Sequence, residues 1–228
     1  TIVEQICNKL KNFEQDTGIW KKWALMLGAV TFVSPDPFTD EARIMEAIKD
    51  SLLDPQSWSY SRHYEKAGLE PSPIPCEDSL CQSNTVAYWS NIAFGYVNWS
   101  AHGSYNVVGR RIKTSSGPQD IPFFQNSDVQ YLDDLYPSIV FSSACLTAQP
   151  EQWNLGQLLI QHGSAGFIGA TRVAFGPMGE LYWNSGGNTS YNCYFALYMM
   201  RFQQKIGNAL YNSKLYYRNH PHYGSWTD

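Results

Sequence analysis

Charge is scarce in this sequence. Lys and Arg number 16 and Asp and Glu 20, so charged residues make up 16% of the 228, where about a quarter is usual. The net charge is −4, which leaves no excess of cations to hold nucleic-acid phosphate or an anionic lipid surface. No run of 18 apolar residues occurs, so no membrane-spanning helix is expected. No signal peptide is visible in the sequence. Cysteines number five, an odd count and too few for a disulfide scaffold. No second Cys/His pair stands at zinc-ligand spacing, and His220-Pro221-His222 is a lone H-x-H, so neither a metal nor a cofactor is expected. Internal repeats and low-complexity segments are lacking too.

Aromatics are abundant at 15%, with 15 Tyr and 8 Trp. Disordered chains are aromatic-poor, so a packed core is expected. Cys76 and Cys81 share the proline-rich stretch PSPIPCEDSLC. They can close a small disulfide loop, which would imply an oxidising compartment and an extracellular or cell-surface location, or they can stand as two free thiols.

Periodicity organises the rest. Ile2, Ile6, Leu10 and Phe13 mark a helix over 2–14. The unbroken apolar run Trp23–Val33 reads as a strand covered on both faces. Thr39 or Asp40 caps a helix over 41–53, and Pro55 stops it. Strands are predicted at 57–64, 92–100, 138–143 and 164–171, and helices at 84–91, 127–132, 153–161 and 191–216. Residues 68–82 and 176–190 read as loops, and 103–125 as a long loop or small hairpin. Strands alternating with helices predict an α/β protein, a three-layer α/β/α sandwich around a mostly parallel sheet. Ligands bind such sheets beyond the carboxyl ends of the strands.

Two of those ends carry chemistry. The 92–100 strand runs into Ala101-His102-Gly103-Ser104, and the 138–143 strand into Ala144-Cys145-Leu146-Thr147. Adjacent strands lie about 5 Å apart, so His102 and Cys145 on neighbouring strands can flank one reacting atom. An ionised cysteine is strongly nucleophilic, and a nearby histidine can move the proton. The N–H groups of Gly103 and Cys145 can form an oxyanion hole. A lone cysteine or histidine at a strand end is more often a packing residue. The pairing at these two ends is what points to catalysis.

VNWSAHGS, then PSIVFSSAC, a helix and GSAGFIGATR resemble the gingipain-type cysteine peptidases, of the clan with the caspase–haemoglobinase fold. The resemblance implies one catalytic domain over 1–228, processed or excised from a longer chain, with a pro-segment or further domains as partners. It implies an endopeptidase acting on polypeptides, with Cys145 as nucleophile, His102 as proton donor, and Gly103 and Cys145 binding the oxyanion. Arginine-cleaving members carry a glutamate near the end of the first strand. Val30-Thr31-Phe32-Val33 stands there, so a third carboxylate is missing or comes from elsewhere. Asp40 is the nearest positional match to a pocket acid, although an Asp there is ordinarily a helix cap. Trp183 and Gly186-Gly187 follow the last strand and can border the substrate cleft.

Other readings stay open. The fold can be a peptidase-like binding or scaffolding module without activity, or a different thiol hydrolase or acyltransferase. His162-Gly163-Ser164 precedes a strand, which puts it at the opposite end of the sheet, and His63 can line the cleft. Cys7 and Cys193 read as core residues. Tyr191, Tyr194, Phe195, Tyr198 and Phe202 read as a helix face packed on the sheet. Arg110-Arg111 and Asp133-Asp134 read as solvated pairs. The sequons at Asn98 and Asn188 match glycosylation sites, the first of them in a buried strand.

Overall fold

The computed structural model describes residues 1–220. Helix α1 (Ile2–Gln15) starts where the Thr1 hydroxyl accepts the Glu4 N–H. Strand β1 (Trp23–Gly28) follows, then the short antiparallel pair β2 (Val30–Phe32) and β3 (Thr39–Asp40). Helix α2 (Ala42–Ile48) passes through one π-helical turn to β4 (Ser59–Tyr64) and β5 (Asp78–Ser79). Next come α3 (Gln82–Asn91), β6 (Tyr96–Ser100), β7 (His102–Ser104), β8 (Val107–Thr114), β9 (Gly117–Gln125) and β10 (Ser138–Ser143). Helix α4 (Leu155–Gln161), β11 (Ser164–Gly169), α5 (Gly187–Ala196) and α6 (Ile206–Asn219) complete the order.

Six strands form the central sheet in the order β11-β10-β6-β1-β4-β5, and every neighbouring pair is parallel. Side chains alternate between its faces. Ala24, Met26, Tyr96, Ile139 and Phe141 meet Ile44, Met45 and Ile48 of α2 and Cys193, Phe195 and Ala209 of α5 and α6. Leu25, Leu27, Val97, Trp99 and Val140 meet Trp89 of α3, Leu155 and Leu159 of α4, and Phe123 and Phe124 of β9. Both faces are covered, which is why the strands read as continuous apolar runs. The architecture is the expected α/β sandwich.

Several expectations are corrected in detail. The 23–33 run is not one strand. After Gly28 the chain bends: the Ala29 N–H still bonds the Ser100 carbonyl (3.1 Å), but its own carbonyl takes the Glu41 N–H (2.9 Å). Residues 30–32 then fold back on 39–40 around Pro35 and Pro37. The strand expected from 92 begins at Tyr96, because Ile92 serves as the C-cap of α3. Asp54-Pro55-Gln56 extends the α2 segment as a 3-10 turn rather than stopping it. The single helix over 191–216 is two: a π-turn ends at Arg201, and Gln203 adopts a left-handed φ of 51° before α6 begins. The 103–125 segment is a three-stranded antiparallel sheet, β7-β8-β9.

All five cysteines are free. The Cys76 thiol faces the Asp78 carbonyl (3.0 Å) and the Cys81 thiol faces the Ser83 hydroxyl (3.1 Å). The bridge is not formed, so its support for an oxidising compartment falls away. Cys7 is exposed, not core. Arg110 is not a solvated residue either: it is buried and paired with the fully buried Glu65 at 2.7 Å. Asp134 ties the buried Lys9 to the base of the sheet at 2.9 Å. Among the described residues no helix is long and apolar enough to cross a membrane, and no group of metal-ligating side chains gathers. Pro221 and His222 lie outside the described residues, while His220 stacks on Tyr216.

Candidate active site

Strands β6 and β10 are neighbours, and Ser100 pairs with Ser143 at their carboxyl ends. The Ala101 N–H bonds the Ser143 carbonyl at 3.1 Å. His102 and Cys145 therefore each stand two residues past one register pair. Both line the same cavity, which has a volume of about 200 Å³.

His102 Nε2 lies 2.5 Å from the Thr31 carbonyl oxygen. A carbonyl can only accept, so Nε2 carries the hydrogen, and in the neutral ring the lone pair is on Nδ1. The Phe32 ring meets the imidazole edge-on at 5.4 Å. The return of the chain after β1 thus holds the histidine twice, by a backbone carbonyl and by an aromatic edge.

The half-buried Cys145 thiol donates to the Ala174 carbonyl (3.2 Å), and the Ala174 N–H points back at sulfur (3.4 Å). The next residue, Leu146, has a φ of 61°. A non-glycine residue in that region costs roughly 1–3 kcal/mol and commonly marks a functional turn. Its N–H is taken by the Arg172 carbonyl at 3.2 Å. Gly103 packs its backbone directly on this turn. A β-carbon there would lie 2.8 Å from the Cys145 carbonyl oxygen and 2.8 Å from Ala144 Cβ. Only glycine permits that approach.

Sequence reasoning missed the cavity's acid. Glu41 lines the same cavity and is 9% exposed. Its Oε2 accepts from the Ser100 hydroxyl (2.7 Å) and its Oε1 from the Thr31 hydroxyl (3.2 Å). Burial raises its pKa to about 7, against the lowering effect of the two hydroxyls and with a smaller push from Asp40. Glu41 is held there by the α2 start, which crosses β1 so closely that a β-carbon on Gly28 would meet Ala42 Cα at 2.6 Å. In sequence it resembles any acid in a helix first turn, so nothing local distinguishes it.

The other expected site residues lie elsewhere. Asp40 is buried, accepting from the Ser72 hydroxyl (2.6 Å) and, as a cap does, from the Ala42 N–H (3.1 Å). It is not among the cavity residues. Trp183 is half-buried against the apolar cluster beneath α2 and α5 and is not among them either. Asn188 and Thr189 do line the cavity, and they belong to the first turn of α5 rather than to the loop expected over 176–190. His63 sits fully buried on β4 beside Tyr88 and Ser61, away from the cavity. His162 faces Asp134 at 3.4 Å, before β11 and at the far end of the sheet. Asn98 is buried in a reciprocal amide pair with Asn192 at 2.7 and 2.9 Å, as its strand position implied.

No protein-family model matches the sequence, and no curated protein matches it. Solved structures do. The crystal structure of the Arg-specific cysteine proteinase gingipain R superposes with a TM-score of 0.63 at 12% identity, over 93% of this chain and 46% of that one. The complex of the Porphyromonas gingivalis RgpB pro- and mature domains gives 0.61 at 11% identity, over 93% of this chain and 47% of that one. The chain thus spans about half the length of these neighbours. At that identity the likeness establishes a shared fold, the one the sequence motifs suggested.

Proposed function

We propose that the chain is the catalytic part of a cysteine endopeptidase that cleaves after a basic residue. One observation carries this reading: His102 and Cys145, each two residues beyond adjacent parallel strands, share a cavity whose wall holds a buried carboxylate. A catalytic portion also fits a chain that superposes on half of a cysteine proteinase.

The chemistry follows from the groups present. The Cys145 thiol gives its proton to Nδ1 of His102, the resulting thiolate attacks the scissile carbonyl carbon, and the carbonyl oxygen takes the negative charge. The backbone N–H groups of Gly103 and Cys145 lie on two segments in van der Waals contact and are assigned to stabilise that oxygen. His102 protonates the leaving nitrogen, the C–N bond breaks, and a thioester remains on Cys145. Water, losing a proton to His102, then hydrolyses the thioester and releases the acid and the thiol. Glu41 selects the substrate. A buried carboxylate with two hydroxyl donors retains acceptor capacity for a third, cationic donor, and a guanidinium or ammonium would offset its desolvation. This gives Glu41 the role first assigned to Asp40.

The same proposal includes a polypeptide substrate, a pro-segment or further domains in a longer chain, and an extracellular or cell-surface location. A complex of pro- and mature domains among the structural neighbours supports the pro-segment. The test is a peptide panel with Arg, Lys, Asn and Asp preceding the scissile bond, run on the native chain and on Cys145→Ala. Cleavage after Arg and Lys that vanishes with the thiol is expected. Cleavage that survives its removal excludes the chemistry. The contact of Cys145 with the Ala174 backbone favours a second reading, an inactive binding module with a capped thiol. Iodoacetamide separates the two: fast labelling of Cys145 supports the enzyme, and labelling as slow as that of the buried Cys193 supports the module.

A further inference from the structure

A second cavity, of about 520 Å³, lies beside the first. The two share Ala174, Phe175 and Asn188 as a common wall. The second is bounded by Val173 on the strand-end segment, Tyr191 on α5, and Lys214 and Tyr217 on α6. Its walls are largely aromatic and aliphatic, and its charged lining groups are both cations, Arg172 and Lys214. Arg172 is paired with Glu151 at 2.6 Å. No ion pair engages Lys214 among the described residues.

We propose that this cavity is a second substrate subsite, which takes an acidic side chain two residues from the basic one. The inference rests on the peptidase reading of the first cavity. An extended peptide advances about 3.3 Å per residue and turns alternate side chains to the same face. Two cavities divided by a single wall therefore receive residues i and i+2. The first presents the carboxylate of Glu41 and the second the ammonium of Lys214. A peptide with a basic and an acidic side chain at that spacing matches both. Glutamate fits the second site best, because its methylenes can lie along Tyr191 and Tyr217 while its carboxylate reaches the rim.

The experiment uses peptides with Arg preceding the scissile bond and Glu, Gln or Lys placed in turn two residues to either side. Binding is measured on Cys145→Ala and kcat/KM on the native chain. Glu is expected to exceed Lys by about three- to fivefold at one of the two positions, as for an exposed ion pair, and to lose that margin at high salt. Lys214→Glu, an exposed change on α6, should reverse the order while leaving the Arg requirement intact. Binding and cleavage after Arg without discrimination, or discrimination that Lys214→Glu does not alter, overturns the subsite alone. Failure of every peptide to bind and to be cut overturns the peptidase reading and the subsite with it.

Discussion

The Ser100 hydroxyl lies 2.7 Å from Oε2 of Glu41, so the strand that delivers His102 also anchors the acid of the cavity. Thr31 makes a parallel link. Its hydroxyl bonds Glu41 Oε1 and its carbonyl accepts from His102 Nε2. The buried acid and the histidine of the cavity therefore share one hydrogen-bonded unit built from three separate segments of the chain.

Glu41→Gln tests the first half of that unit. The amide is nearly isosteric and can still bond both hydroxyls, so the fold should survive. Cleavage after Arg should fall at least tenfold, mainly through KM, while neutral residues at that position lose far less. In the native chain kcat/KM for Arg peptides should rise as pH passes upward through about 7, where Glu41 ionises. A pH profile that is the same in the native and Glu41→Gln chains removes Glu41 from recognition.

Gly103→Ala tests the contact between the turns that carry His102 and Cys145. The new methyl would meet backbone oxygen and a β-carbon, each at 2.8 Å. Neither is the free end of a flexible side chain, so one turn must move. Overpacking of this kind costs about 1–3 kcal/mol. We expect a lower urea midpoint and a loss of at least tenfold in kcat/KM, with the order of preferred residues before the scissile bond unchanged.

Much of this arrangement is legible in the sequence. Ser138–Ser143 and the His102 and Cys145 positions follow from apolar runs that end in small polar residues. What was not legible depends on contacts distant in sequence. Glu41 matters only because α2 begins against Gly28 and Ser100, and that crossing has no local signature. Arg110 reads as a surface residue until the segment just past β4 supplies Glu65. The break before α6 falls in Arg-Phe-Gln-Gln-Lys, where Gln203 takes a left-handed φ without a glycine or proline to announce it.

Asn192→Ala tests the polar contact beneath the site. Asn98 and Asn192 are fully buried, and each donates to the other's carbonyl oxygen. Removing one leaves the other with a donor and an acceptor unpaired, at about 1–3 kcal/mol. Chemical denaturation should show that loss. The double change Asn98→Leu with Asn192→Leu should cost less than the sum of its two single changes, because no unpaired amide remains.

Two buried groups tilt the pH dependence of stability in opposite directions. His63 has no exposed surface, stands against Tyr88 and Ser61, and leaves Nδ1 without a partner. Burial lowers its pKa from 6.5 to about 4, although Asp78 and Glu77 pull the other way. The unfolded chain thus binds a proton that the folded chain refuses, and stability present above pH 6.5 is lost as pH falls toward 4. At about 1.4 kcal/mol per pKa unit the loss amounts to about 3 kcal/mol. Glu41 behaves in reverse. Its pKa rises from 4.5 to about 7 on folding, so its contribution is complete below 4.5 and is lost as pH rises through 7, again by about 3 kcal/mol. Over the shared window the two slopes oppose, and these two groups together leave the native chain nearly flat. Single variants should unmask each slope. His63→Gln should gain stability relative to the native chain as pH drops from 7 to 4. Glu41→Gln should be the more stable chain at pH 8 and should lose that advantage by pH 4.5. Urea midpoints measured across pH 4 to 8 decide the matter, and variant curves that run parallel to the native one would remove both groups from the linkage.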